Sequence, residues 1–190
     1  MYFKTKILKG YTVYNFLITG TSFLYTKIFY NSAKLIRLPF RFRCLGEFSF
    51  GSCLTIGVHN RFDVFEFAKL NIGDNVQIND YCHLACADNV SIGNDTLIAS
   101  RVFITDHDHD FNSGLTKPAD WPLLSLPVTI GQRCWIGEGV CILKGVSLGN
   151  DCIVGANSVV TKNFPSGSII GGVPAKLIRN REVIDNKVEL

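Results

Sequence analysis

No aspartate or glutamate occurs before Glu47, whereas Lys4, Lys6, Lys9, Lys27, Lys34, Arg37, Arg41 and Arg43 all do. This basic, aromatic front end is expected to meet anions, lipid headgroups among them. The formal net charge of the whole chain is only +3, too mild to suggest a nucleic-acid partner. Seven cysteines are present, but no C-x-x-C pair. An odd count without that spacing excludes a disulfide framework and a structural zinc pattern, and a reducing, cytosolic compartment is the simpler reading. The early apolar stretch YTVYNFLITGTSFLY is not followed by an A-x-A cleavage site, which argues against a secretory signal. It is also interrupted and shorter than the roughly 20 residues a membrane span needs. Charged residues make up only 18% of the chain and hydrophobic ones 47%, enough apolar material for a substantial core.

What the chain does have is a period. From Ile130, steps of six reach Ile136, Ile142, Leu148, Val154 and Val160. Upstream the same ruler finds Ile72, Ile78 and Leu84, then, after a two-residue slip, Ile92, Ile98 and Ile104. Glycine follows the aliphatic at Gly73, Gly93, Gly131, Gly137, Gly149 and Gly155. Four residues after the aliphatic comes a small or branched residue, as at Val76, Thr96, Cys134, Val140, Cys152 and Ser158. Six is neither a helical period nor a strand alternation. It suits a short strand and a tight turn, repeated. The aliphatic side chain points inward, and the glycine is expected to supply unusual turn dihedrals. Three units close a triangular coil of 18 residues, and stacked coils bury one apolar column. Cys134 and Cys152 then stack at matching corners, where they read as small buried thiols rather than a disulfide.

The ending TIGQRCWIGEGVCILKGVSLGNDCIVGANSVVTKNFPSGSIIGGVPAKLIR, with the hexads from about Leu70 onward, resembles the hexapeptide-repeat acyltransferases. It is similar to the branch containing galactoside, maltose and nodulation-factor O-acetyltransferases, and looks closest to enzymes that decorate bacterial capsule, colanic acid and O-antigen sugars. The resemblance implies an all-β fold, a left-handed parallel β-helix; the periodicity alone does not give that hand. The expected organisation is an N-terminal amphipathic, basic, helical or irregular segment over 1–45. The β-helix follows over 46–165, with an inserted loop over 105–129, and a short C-terminal extension covers 166–190. The segment IRLPFRFRCLGEFSFGSCLTIG reads as irregular early coils of the same stack.

The inserted loop opens with ITDHDHDFNSG. In the resembling enzymes the first histidine of this loop is the general base, which matches His107, with His109 as the alternative. A neutral imidazole can take the proton of a sugar hydroxyl as it attacks a thioester. Asp106, Asp108 and Asp110 are all candidates to orient it. The resemblance implies acetyl-CoA as donor, no required metal, and a homotrimer with sites between subunits. The donor positions that match are Trp135, Glu138, Ala156, Thr161, Lys162, Lys176 and Arg179, the last two near the nucleotide phosphates. Acceptor candidates are Asn79, Asp80, Tyr81 and His83, with Trp121 as a stacking platform for a sugar.

The resemblance thus implies an acetyltransferase of polysaccharide biosynthesis, moving acetyl from acetyl-CoA to a hydroxyl of a bacterial cell-surface sugar or glycan precursor. N-acetylation of a nucleotide-linked amino sugar is the alternative. A silent β-helix binding module and a metal enzyme using His83, His107 and His109 stay open. The expected location is cytoplasmic, with a peripheral inner-membrane contact as one of two readings of the front end. There Tyr14, Leu17, Ile18, Thr21, Leu24, Tyr25, Ile28 and Phe29 recur at helical spacing. Their face either lies on the membrane or packs on the first coil.

Overall fold

A computed structural model describes residues 12–181. It is a parallel β-helix of triangular section, preceded by one helix. The first face stacks Leu35–Ile36, Thr55–Ile56, Gln77–Ile78, Leu97–Ile98, Trp135–Ile136, Ile153–Val154 and Ser168–Gly171. The second stacks Phe40–Cys44, Asn60–Val64, His83–Cys86, Phe103–Thr105, Cys141–Ile142 and Val159–Val160. The third stacks Glu47–Phe50, Lys69–Ile72, Asn89–Ile92, Val128–Ile130 and Ser147–Leu148. Parallel pairing therefore begins at Leu35, inside the stretch assigned above to the N-terminal segment.

Register explains the period. Ile56, Ile78, Ile98, Ile136 and Val154 are successive partners up the first face, so like side chains stack on like. All are buried, as are the small residues Val76, Thr96, Cys134, Val140, Cys152 and Ser158 that fill the corners. Each buried aliphatic contributes about 1.5–3 kcal/mol. The cysteines are unpaired, and the Cys134 and Cys152 thiols donate to the Gly149 and Pro165 carbonyls.

The glycines act differently from the expectation. The left-handed corner positions belong to Asn75, Asp95, Arg133 and Asp151, with φ from 54° to 60°, two residues after the glycines. Asparagine and aspartate tolerate that region better than most side chains. The glycines are needed for close approach between coils. A Cβ on Gly73 would lie 2.2 Å from Asn94 Oδ1 and 2.7 Å from its backbone nitrogen.

The helix, Val13–Phe29, sits on the first coil through a polar strip. Ser22 and Thr26 are its buried residues. Thr26 Oγ1 accepts from Ile36 N at 2.8 Å, and Ser22 Oγ accepts from Leu38 N at 3.0 Å. The apolar stripe, for which packing on the coil was one of two readings, is largely turned outward: Tyr14, Leu17, Leu24, Ile28 and Phe29 are exposed, with Phe16 and Phe23. Periodicity located the stripe but carries no information on which side the coil lies. Of that stripe, Tyr25 packs against the core. No helix among the described residues is long and apolar enough to cross a membrane.

The expected loop is an ordered arm. His107–His109 pairs antiparallel with Leu123–Ser125, and a short turn of helix at Pro118–Asp120 lies between them. The stack resumes at Val128. At the far end, Lys176–Asn180 returns antiparallel along Ser168–Gly171 and closes the first face.

Candidate active site

Asp106 is fully buried at the corner between the second and third faces. Its carboxylate accepts from Ala87 N at 2.8 Å and Asp88 N at 2.7 Å, both in the coil below. Its third partner is the imidazole of His107, with Nδ1 2.9 Å from Asp106 Oδ1. Burial pushes the Asp106 carboxyl up, but the hydrogen bonds from His107, Ala87 and Asp88 outweigh it and hold the group below the usual carboxylate range. A carboxylate in that position assigns the His107 proton to Nδ1. Nε2 is then the basic nitrogen, and no group among the described residues is bonded to it. Thr105 Oγ1 lies 3.3 Å from Nδ1, and the Phe65 ring meets the imidazole edge-on at 5.3 Å. The His107 side chain is 13% exposed, so Nε2 sits at a dry but reachable edge.

The three aspartates of the motif thus separate by role. Asp106 orients His107. Asp108 pairs with Lys144 at 2.5 Å and ties the arm to the next coil. Asp110 accepts from Asn112 N and shapes the arm's turn. His109 Nδ1 faces the Trp121 carbonyl at 3.1 Å, so this histidine braces the arm. Trp121 is half-buried and donates to Leu115 O at 2.7 Å, which anchors the same turn.

His83 lies on the second face, one strand below Phe103, with ring centroids 5.2 Å apart. Its Nε2 is 3.0 Å from the buried Asp63, which also holds Arg61 at 2.5 Å. Burial raises the Asp63 carboxyl, but His83 and Arg61 together draw it below its ordinary range. The three histidines considered for a metal therefore turn to three separate partners. No cluster of three or more metal-binding side chains exists among the described residues.

Tyr81 stands at the opposite corner of the same face, with φ +60°, stacked at 4.9 Å on His59. Asp80 and Asn79 share that corner. Asp80 accepts from Val58 N at 2.8 Å, and Asn79 Oδ1 accepts from Gln77. Of the acceptor candidates, His83 alone displays its side chain on the face that leads to His107. Glu138 and Ala156 occupy the Tyr81 corner, higher in the stack. The Glu138 carboxylate is engaged by Arg101. Thr161 and Lys162 lie exposed at the His107 corner, with Lys162 over the Phe164 ring. Trp135 is half-exposed on the first face, three strands below the closing strand that carries Lys176 and Arg179. One protomer thus spreads the donor positions over two edges and does not gather them.

Sequence reading missed Asp63 and Phe65, and named Arg43 only as one charge of the basic front end. The Arg43 guanidinium sits 5.5 Å from the Phe65 ring, on which His107 also rests. The alternation of FRFRC and NRFDV was the available signal, since it turns Arg41, Arg43 and Arg61 outward on the second face.

Comparison with known proteins fits this geometry. Residues 127–162 match the family model described as the hexapeptide repeat of succinyl-transferase. Over 181 residues, 92% of each chain, the sequence is 44% identical to a putative lipopolysaccharide biosynthesis O-acetyl transferase of Escherichia coli, WbbJ. An N-acyltransferase from Bacillus cereus, AntD, solved with dTDP and coenzyme A, shares the fold with a TM-score of 0.62 at 24% identity, over 84% of this chain and 89% of that one. A galactoside acetyltransferase solved with coenzyme A aligns with a TM-score of 0.50 at 26% identity, over 75% of this chain and 64% of that one.

Proposed function

Since the chain belongs to the hexapeptide-repeat acyltransferases and is an acetyltransferase, we propose that it moves acetyl from acetyl-CoA to a hydroxyl of a bacterial cell-surface sugar or glycan precursor. The observation that carries this reading is the Asp106–His107 pair, with Nε2 unbonded at the edge of the second face. The acceptor hydroxyl gives its proton to Nε2 as its oxygen attacks the thioester carbonyl. Asp106 steadies the imidazolium that forms. When the tetrahedral intermediate collapses, the carbon–sulfur bond breaks and the departing thiolate takes the proton back. O-transfer is favoured over N-transfer by the 44%-identical relative, whose name specifies O-acetylation.

The separation of the donor positions supports a homotrimer. Coenzyme A would lie between neighbouring protomers, with Glu138 and Ala156 of one edge facing Thr161 and Lys162 of another. Because Arg101 holds the Glu138 side chain, a donor contact there falls to the backbone. Lys176 and Arg179 would meet the nucleotide phosphates. The outward apolar face of the helix supports the peripheral membrane contact.

Thiol release from acetyl-CoA over a panel of sugars and glycans tests this reading. The His107→Ala variant is expected to lose about 10²–10⁴-fold in rate, and His109→Ala far less. Equal rates in both variants, or no thiol release with any acceptor, would refute it.

A further inference from the structure

We infer that the acceptor carries a phosphate or diphosphate, and that Arg41 and Arg43 bind it at the foot of the second face. The inference rests on the acetyl-transfer reading and names its substrate class.

Arg41 and Arg43 alternate on one strand, so both side chains project outward and their Cα atoms are about 6.8 Å apart. Arg61 is the register partner of Arg41 in the next coil. Three guanidinium groups thus occupy one small area of the face that leads to His107. Asp63 is the one carboxylate paired with any of them, and it holds Arg61. Arg41 and Arg43 have no acidic partner among the described residues, so the area carries two uncompensated charges. Like charges held this close repel one another, and a bound anion relieves that. One carboxylate needs one guanidinium fork, whereas a phosphate monoester or diphosphate carries charge and oxygens for two. Arginine's planar donor set suits phosphate oxygens in particular.

Direction favours the acceptor over the donor. Phe65 lies between Arg43 and His107 and touches both, with the guanidinium at 5.5 Å and the imidazole at 5.3 Å. The arginine is therefore held along the corner that ends at the base. Strands of the β-helix are about 4.8 Å apart, so the strand bearing Arg43 lies three steps, roughly 14 Å, from that bearing Thr105. That is room for a sugar and its phosphate linkage, with the sugar hydroxyl at Nε2 and His83 beside it. The donor positions Glu138, Ala156, Thr161 and Lys162 lie higher in the stack, on the other side of His107.

Two sources could supply this chemistry, a nucleotide-linked sugar or a lipid-linked one. The experiment compares thiol release with four forms of each acceptor sugar: unlinked, linked to a nucleoside diphosphate, linked to a polyprenyl diphosphate in detergent, and oxidised to the uronate. The expected result is a KM roughly 10- to 100-fold lower for a diphosphate-linked form. In Arg41→Gln/Arg43→Gln that advantage should collapse, and Arg41→Lys/Arg43→Lys should restore part of it. Whichever linked form is preferred identifies the source. Equal KM for linked and unlinked sugars would overturn the inference, as would a uronate as good as the diphosphate. A separate titration measures inorganic pyrophosphate binding to protein saturated with coenzyme A, and does not depend on turnover. Binding lost in the glutamine variant supports the site; no binding, or equal binding, overturns it. Failure of every acceptor to release thiol counts against acetyl transfer, and this titration then decides the phosphate site alone.

Discussion

Replacing Asp106 by asparagine exchanges one carboxylate oxygen for an –NH₂ group and leaves the volume nearly the same, yet the buried amide has no good orientation. With its oxygen toward His107, the –NH₂ faces the Asp88 N–H, which now donates to Asp106 at 2.7 Å. Two donors then oppose each other in a site closed to water. With the amide turned over, the –NH₂ faces both the Ala87 N–H and His107 Nδ1. His107 must then accept at Nδ1 and carry its proton on Nε2, where it cannot act as a base. Either orientation also removes the negative charge that balances the imidazolium. A misoriented or wrongly protonated histidine costs about 10²–10⁴-fold in rate. One buried donor left unsatisfied costs about 1–3 kcal/mol in stability. Asp106→Asn should therefore lower kcat by about 10²–10⁴ with little change in the KM for acetyl-CoA, and lower the unfolding free energy by about 1–3 kcal/mol. The two effects separate with pH. The folded-state pKa of Asp106 is depressed, so the stability it contributes is present above the ordinary carboxylate value of about 3.9 and is lost as pH falls through the folded value. Denaturant melts of the two proteins should differ at neutral pH, begin to converge only below about pH 4, and meet once pH is under the depressed folded value. A variant whose kcat falls by less than about tenfold would refute the role given to this carboxylate.

Two further perturbations probe the scaffold. Gly73→Ala forces a Cβ against Asn94, including its backbone, and should cost about 1–3 kcal/mol. Gly20→Ala meets nothing within 4 Å on the helix and should gain up to about 1 kcal/mol; thermal melts that rank the two variants the other way would contradict the close-approach account. The outward face of the helix should carry the full chain onto vesicles containing phosphatidylglycerol. Phe23→Asp/Leu24→Asp should abolish that sedimentation, and equal sedimentation of both proteins would remove the membrane reading.

The parts of the fold that could be read from the chain are those where chemistry repeats in register. Parallel strands put Ile98 over Ile78 and under Ile136, so the same residue type recurs at a fixed step. His107 drew attention because it stands where that step breaks. The residues that were missed lie where the step is irregular. Register partners are 20 residues apart for Arg43 and Asp63 and 22 apart for Asp63 and Ala85, against 18 for Trp135 and Ile153. A ruler of six loses phase there, and Asp63, Phe65 and Arg43 belong to those lower coils. The choice of Asp106 among three aspartates depends on backbone donors from Ala87 and Asp88, a coil away, to which sequence spacing is blind. The glycines were located correctly and explained wrongly, because close approach and left-handed dihedrals leave the same letter in the chain. The helix stripe has the same ambiguity, since a 3.6-residue period is identical whether its apolar side faces the coil or solvent.

The His107 imidazole is aligned by Asp106, whose carboxylate is fastened to the coil beneath while its carbonyl accepts from Leu126 N where the arm returns. The arm is held by Lys144 and by the pairing of its own two strands, the first of which His107 opens. The imidazole and the root of the arm therefore form one unit, and only the tip beyond the paired strands is separable. Residues 110–122, beyond the paired strands, are then the part whose exchange or lengthening is expected to leave the Asp106–His107 contact in place. Under the proposed acetyl transfer, a scaffold built this way changes the sugars it admits by trading the tip of one excursion from the stack, while the Asp106–His107 pair stays fixed at its root.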